Sequence, residues 1–148
     1  MKNLILTLLA FCFFSFSFSQ ERISVDEKMH MEQVKKNSVT VVAHINDKLK
    51  LEDKERAVVA TVFSEYAHNI GKLEAKIEER LAADPANARV NSTAAKKMKF
   101  EKMAEFSKRR DVQIEEVLTE IQFKKYKEIL EDFDPMTLEM IKDKKGKK

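Results

Sequence analysis

One apolar stripe in the middle of the chain most constrains how the chain can fold. Between Asp53 and Ala83, apolar residues recur every three or four positions, as they do on one face of an α-helix. The members of the stripe are Val59, Phe63, Tyr66, Ile70, Leu73, Ile77 and Leu81. A helix over this range is about 45 Å long, at about 1.5 Å per residue. Because no small globule surrounds so long a rod, the stripe predicts packing along another long helix or along a second copy of the chain.

The composition around this helix predicts an all-α protein. From residue 20 onward, glycine occurs only at Gly71 and Gly146, and proline only at Pro85 and Pro135. Asn-Gly and Asp-Gly pairs, which are typical of β-hairpins, are absent, and good helix formers such as alanine, glutamate, lysine and leucine dominate.

A first helix is predicted before the stripe. Ser24 and Glu27 have the spacing of a capping box, which starts a helix that extends to about Leu49. We allow a break in this helix at residues 39–42, where β-branched residues cluster.

A third helix is predicted after a break at Pro85, since proline disfavours helix at the residue before it. The polar residues 91–93 indicate a connection. Ser92 or Thr93 then caps a helix from about Ala94 to Leu118.

A helix restart is predicted at Thr119. Its hydroxyl can accept the backbone N–H of Gln122, whose side chain can reach back to the N–H of Thr119, so the two residues form a capping box. Leu118 would then pack on Phe123 of the new helix, which extends from about Glu120 to Phe133.

A second, weaker copy of this pattern begins at Leu51, without the threonine and with Asp53 as the expected cap. If the second and third helices pair antiparallel, Leu118 lies near Leu51 and the two caps lie side by side. The residues assigned to this scaffold are Leu51, Glu55, Leu118, Thr119, Gln122 and Tyr126.

These two segments resemble the motifs of the periplasmic LTxxQ proteins, the Spy/CpxP-like group. The string LTEIQFKKYKEIL, with Tyr126 as the following aromatic residue, is similar to the usual motif, and LKLEDKERAVV looks like the first motif in degraded form. The resemblance covers residues 49–130 and departs from the pattern at Glu52, usually threonine, and at Ile121, usually acidic. It implies a bent helical hairpin that dimerises into a shallow cradle, and it implies ATP-independent holding of unfolded clients or damping of an envelope stress sensor.

Residues 1–19 have the features of a cleaved secretory signal and, with the resemblance, imply a periplasmic protein. Lys2 precedes an apolar run, and Ser17 and Ser19 stand at the small-residue positions before a cleavage site. The alternatives are an uncleaved anchor and lipidation at Cys12. Without residues 1–19 the chain has no cysteine, so its fold has no disulfide.

Residues 20–141 are predicted to form one all-helical domain, in which Asp134 and Pro135 begin a short final helix. Residues 142–148 are predicted to be a disordered tail with five lysines and one aspartate. The basic balance of the chain therefore lies in the tail and not on a face of the domain, which argues against nucleic-acid binding. Contact of the tail with anionic lipid head groups is the alternative to a solvated end.

No catalytic or cofactor site is predicted. The chain after residue 19 has no cysteine, no serine in a nucleophile-elbow context and no glycine-rich phosphate loop, so we expect neither an enzyme nor a bound cofactor. Met29, His30 and Met31 offer thioether and imidazole ligands, and some relatives of the LTxxQ group bind metals. No pair of strong ligands forms on one helix face around His30, His44 or His68, so solvated histidines are favoured over a metal site.

Arg110 lies in the apolar stripe of the third helix, four residues from both Phe106 and Ile114. One interpretation is an arginine with a buried stem, or one paired with a carboxylate across the helix pair. The other is a cationic position on an amphipathic concave surface, where Met98, Met103 and Phe106 supply adaptable apolar contacts for unfolded clients.

The sequence therefore favours a homodimeric, ATP-independent periplasmic chaperone or stress adaptor, built as a long bent antiparallel helical hairpin with additional short helices. Its expected partners are unfolded or partly folded envelope proteins and, for an adaptor, a sensor kinase. The alternatives are a metal-responsive periplasmic sensor or scavenger, motivated by residues 29–31, and a structural helical dimer module without a client.

Overall fold

The fold consists of four α-helices and a C-terminal turn. A computed structural model describes residues 25–141, apart from the side chains of residues 25–27, 88, 89 and 91. The helices are α1 (Val25–Leu49), α2 (Asp53–Ala83), α3 (Ala88–Glu115) and α4 (Glu120–Leu130), with a short 3-10 turn at Pro85–Asn87. Across residues 25–141 there is no β-strand, only an isolated antiparallel bridge between Phe133 and Met140. The predicted all-α class is confirmed.

Three predictions concern parts of the chain outside residues 25–141: the secretory signal at residues 1–19, the Ser24 cap and the lysine tail at residues 142–148. Within the described helices, none combines the length and the apolar character needed to span a membrane. Of the domain predicted for residues 20–141, the structure describes residues 25–141, which contain its helices.

Helix α2 has the predicted bounds and is the centre of the fold. Its stripe is buried throughout, except for Leu81 near the end, which is partly exposed. Helix α1 packs antiparallel on one side. Near the α1–α2 turn, Arg56 Nε donates to Asn46 Oδ1 at 3.1 Å, and at the far end His30 contacts Glu74.

Helix α3 also packs antiparallel against α2, so the predicted hairpin is observed. The Tyr66 hydroxyl lies 3.2 Å from Ser107 Oγ, and Lys99 Nζ donates to Glu74 Oε1 at 2.7 Å. Because Glu74 also contacts His30 of α1, one carboxylate links all three long helices.

Helix α1 is unbroken, so the break allowed at residues 39–42 does not occur. Its buried positions, Val34, Ser38, Val41, Ile45 and Leu49, follow helical spacing against α2. The Ser38 hydroxyl donates to the Lys35 carbonyl at 2.6 Å, which satisfies the polar group in this interface. Burial of the apolar face therefore outweighs the weak helix propensity of the β-branched cluster.

Gly71 allows α1 to approach α2 closely. It is buried in the middle of α2, and a Cβ atom at this position would lie 2.5 Å from Met31 Cγ of α1. Glycine within a helix is destabilising relative to alanine by about 1 kcal/mol, so this position trades helix propensity for close packing.

Helix α3 begins at Ala88, six residues before the predicted start at Ala94, so the predicted connection at residues 91–93 and the Ser92 or Thr93 cap are wrong. Asp84 is the reason. Its carboxylate accepts the backbone N–H of Asn87 at 3.3 Å and the Asn87 side-chain amide at 3.0 Å. This local turn completes the break at Pro85, and the helix resumes directly after it.

The chain after α4 forms a turn, so the predicted final helix is wrong. Asp134 Oδ1 accepts the backbone N–H groups of Met136 at 2.8 Å and Thr137 at 3.0 Å, as a cap would. The chain then reverses at Leu138, whose φ is +56°, and Ile141 N–H donates to the Asp132 carbonyl at 2.7 Å. Burial of Leu138 favours this reversal over a helix too short to be stable alone.

Residues 120–141 are called the C-terminal strap from here on. The strap comprises α4, which ends at Leu130 rather than at the predicted Phe133, and the turn after it. Tyr126, Ile129, Phe133 and Leu138 bury their side chains in the core. The strap therefore belongs to the hydrophobic core that α1, α2 and α3 form.

Candidate functional site

The turn between α3 and α4 contains the predicted capping box. Thr119 has an extended backbone (φ −66°, ψ 157°), and its Oγ1 accepts the backbone N–H of Gln122 at 3.3 Å. In return, Gln122 Oε1 accepts the backbone N–H of Thr119 at 2.9 Å. The prediction that Thr119 starts a new helix is confirmed, whereas α3 already ends at Glu115 rather than at the predicted Leu118.

The second copy of the pattern caps α2, but through a different residue from the one predicted. Glu52, not Asp53, occupies the N-cap position, with an extended backbone (φ −69°, ψ 163°). Glu55 Oε2 accepts the Glu52 backbone N–H at 2.9 Å. Lys50, in the left-handed region at φ +53°, ends α1 directly before this turn.

The two helix starts lie side by side, as predicted. Gln122 Nε2 donates to Glu55 Oε2 at 3.5 Å, so the glutamate that caps α2 also contacts the glutamine that caps α4. Leu51 and Leu118, the residues that precede the two caps, are both buried in the hydrophobic core. The motif residues are therefore brought together by the fold-back of the α2–α3 hairpin.

A partly buried polar cluster centred on Asp111 lies beside this turn. Asp111 Oδ1 accepts hydrogen bonds from Arg110 Nε at 2.9 Å, from Arg110 Nη2 at 2.8 Å and from the Tyr126 hydroxyl at 3.0 Å. Its other oxygen accepts Lys127 Nζ. The cluster therefore joins α3 to α4, and Tyr126 is its scaffold residue from the predicted motif.

The charges of this cluster fix its protonation. Burial alone would raise the pKa of Asp111, but the hydrogen bond from Lys127 and the charge of Arg110 outweigh burial and hold that pKa below its ordinary value of 3.8. Burial raises the pKa of the Tyr126 hydroxyl well above its ordinary value of 10.0. At neutral pH an ionised Asp111 therefore accepts a hydrogen bond from a neutral Tyr126.

Arg110 is in the core, so the prediction that it lies on an exposed client surface is wrong. Its guanidinium lies 4.6 Å from the ring centroid of Tyr66 and 5.7 Å from that of Phe63. The carboxylate that pairs with it is Asp111, the next residue of the same helix, and not one across the helix pair. The paired charge and the two aromatic faces together explain how the arginine tolerates burial.

The other predicted client-surface residues do not form an open patch with Arg110. Met103 is buried, and Met98 and Phe106 are half-buried. Met98 Sδ accepts a weak hydrogen bond from Arg80 Nη1 of α2 at 3.5 Å. These side chains pack between α2 and α3. Their helical spacing is that of a core stripe as much as that of a client-binding surface.

Sequence reasoning missed Asp111. The signal for it was present: Tyr126 falls on the apolar face of α4 and needs a partner for its hydroxyl when buried, and Asp111 is the acidic neighbour of the arginine in the stripe of α3. The two adjacent charged residues Arg110 and Asp111 are thus the part that α3 contributes to the polar cluster.

The histidines and nearby methionines do not gather into a metal site. His30 contacts the Glu74 carboxylate, while Met31 packs against Gly71. His44 packs edge-on against Phe133 at 5.5 Å, and His68 is exposed. No three His, Cys, Asp or Glu side chains in the described part of the chain cluster closely enough to hold a metal ion.

Comparison of the chain with protein-family models, with curated proteins and with solved structures returned no match. The likeness to the LTxxQ group thus depends on the motif residues themselves. Of these, Thr119 and Gln122 form the capping box, and Glu55 lies beside it.

Proposed function

We propose that this chain is an ATP-independent periplasmic chaperone or envelope-stress adaptor of the LTxxQ type, which holds unfolded or partly folded proteins on its helical surface. The observation that carries the proposal is the 3.5 Å contact between Gln122 Nε2 and Glu55 Oε2. This contact unites the two segments that resemble the motifs of that group, although 67 residues separate them in the chain.

Exposed apolar side chains on the outer helix faces support a holding role. Val39 of α1, Phe100 of α3 and Ile121 of α4 are each more than two-thirds exposed, at 68%, 78% and 72%. Scattered apolar contacts of this kind bind many sequences weakly, because no single shape is required of the partner. Charged side chains surround them, which keeps the free protein from aggregating.

The homodimer belongs to the proposal as well. The length of α2 alone no longer requires a second copy, because α1 and α3 both pack along it. Support comes instead from the outer face of α3, where Val90 and Phe100 are exposed at 69% and 78%. Sedimentation of the chain without residues 1–19 measures this state directly, and a monomer at all concentrations refutes the dimer.

A client-aggregation assay tests the holding function. The chain without residues 1–19 is added, without nucleotide, to a client diluted from denaturant, and light scattering is followed. We expect scattering to fall as the chain is added in several-fold excess, and Phe100→Ser to weaken this effect while the neighbouring Glu101→Ser does not. Undiminished scattering at that excess refutes the proposal and leaves a structural helical module.

A further inference from the structure

The C-terminal strap crosses all three long helices. Its Thr137 carbonyl accepts Asn37 Nδ2 of α1 at 2.8 Å, and its Pro135 carbonyl accepts the Tyr66 hydroxyl of α2 at 2.9 Å. Tyr126 and Lys127 bind Asp111 of α3. A single segment at one end of the described chain therefore covers the face on which α1, α2 and α3 meet.

The surface beneath the strap is aromatic and apolar, with one charged position. The Tyr126 ring packs edge-on against Phe63 at 6.5 Å, and the Phe133 ring packs edge-on against His44 at 5.5 Å. Asp111 supplies the charge at the α3 side of this surface, and Arg110 lies behind it. Of the residues that the sequence indicated for client binding, Arg110 is the one that lies next to this surface.

The polar contacts that hold the strap are few and concentrated. On the α4 side they converge on one carboxylate, Asp111, apart from the longer contact between Gln122 and Glu55. Helix α4 has 11 residues, and an isolated helix of this length is marginal in water. The non-helical turn at residues 116–119 separates it from α3. We therefore expect release of the strap to leave α2 paired with α1 and α3 and to uncover the apolar face beneath it.

We propose that the surface under the C-terminal strap is a binding surface for an amphipathic helical segment of another polypeptide, which the strap occupies in cis. The strap itself defines the segment that fits: two apolar residues one turn apart, as Tyr126 and Ile129 are, and a basic residue beside the aromatic one, as Lys127 is. This inference goes beyond the proposed holding function, which places clients on exposed side chains of the outer helix faces. Because the strap is part of the same chain as the surface, it competes with the other segment at a high effective concentration. Release of the strap therefore regulates the binding of that segment.

A labelled peptide with the sequence of residues 119–133 tests this surface on the chain without residues 1–19. The variant Tyr126→Phe/Lys127→Ala removes both strap donors from Asp111, while Arg110 stays paired. We expect this variant to bind the peptide about tenfold more tightly than the parent, as measured by fluorescence anisotropy, because the cis competitor is weakened by two hydrogen bonds. Lys124→Ala removes an exposed lysine of the same helix and should bind as the parent does.

A second variant acts at the other end of the strap. Asn37→Ala removes the donor to the Thr137 carbonyl and should also tighten peptide binding, without any change at Asp111. A peptide with serine at the positions of Tyr126 and Ile129 should bind to neither variant. Hydrogen exchange should show the strap amides opening faster than those of α2 in the parent, and faster still in both variants.

Three results overturn the inference: equal peptide binding by the parent and both variants, strap amides that exchange only together with those of α2, or a dimer of the variants that exchanges straps between copies and excludes the peptide. The proposed function fails separately. Peptide binding without client holding supports the surface and refutes the chaperone, whereas client holding without peptide binding supports the chaperone and refutes the surface.

Discussion

Asp111→Ala should be among the most destabilising single substitutions in this protein. The carboxylate accepts hydrogen bonds from Arg110, Tyr126 and Lys127, and the paired Arg110 and Asp111 side chains are only 8% and 17% exposed. Its removal leaves the Arg110 guanidinium buried without a counter-charge. Breaking one side of a buried ion pair costs about 3–5 kcal/mol, a large part of the roughly 5–15 kcal/mol that stabilises a typical domain. We expect a loss of about 3 kcal/mol or more.

Urea unfolding, followed by circular dichroism, measures this loss. The matched control removes the three members of the polar cluster other than the half-exposed Lys127: Arg110→Met, Asp111→Leu and Tyr126→Phe in one chain. Because apolar replacement of a complete buried pair is often neutral, this triple variant should lose less than about 1.5 kcal/mol. An Asp111→Ala protein within about 1 kcal/mol of the parent contradicts the reasoning, as does a triple variant that is damaged as much as the single one.

Acid provides an independent check on the same carboxylate. The pKa of Asp111 is lowered in the folded protein, so its contribution to stability is complete above the unfolded value of 3.8 and is lost as the pH falls through the folded value. We expect the parent to lose stability over this acidic range more steeply than Asp111→Asn. Parallel curves for the two proteins below pH 4 would show that Asp111 is not the group responsible.

Three further experiments test local features. Thr119→Ala should lower the free energy of unfolding by about 1 kcal/mol and Thr119→Ser by much less, since serine keeps the cap; equal losses in urea unfolding contradict the capping role. Gly71→Ala should destabilise the parent because its Cβ lies 2.5 Å from Met31 Cγ, yet stabilise a Met31→Ala chain by up to about 1 kcal/mol through helix propensity. If Gly71→Ala shifts the unfolding temperature in the same direction in the parent and in the Met31→Ala chain, the clash with Met31 is ruled out. Above pH 10 the parent should lose stability as the pH rises, because Tyr126 keeps its proton only when folded; Tyr126→Phe should reduce that slope, and an unchanged slope excludes this tyrosine.

Features encoded within one or two helical turns could be predicted from the sequence. The bounds of α2 follow from its uninterrupted stripe and the proline after it, and the Thr119 box needs only residues that are three apart. The closeness of the two helix caps, seen in the contact between Gln122 and Glu55, followed from antiparallel geometry once the hairpin was assumed.

Features that depend on contacts between distant segments were harder to predict. The early start of α3 depends on how the Asp84 carboxylate turns toward Asn87, and the loss of the final helix depends on the burial of Leu138. Arg110 illustrates the same limit, because helical spacing placed it on the correct stripe but gave no sign of whether that stripe faces solvent or the aromatic rings of α2.

The C-terminal position of the strap has a consequence during synthesis. The bond between Asn37 and Thr137 joins residues 100 positions apart, so it can form only after three helices have already left the ribosome. Until then the apolar face around Phe63 is exposed. In a growing chain this face is accessible to proteases, to chaperones and to other copies of the chain. A product cut short before residue 120 keeps that face uncovered permanently, which makes incomplete copies of this protein natural targets for degradation.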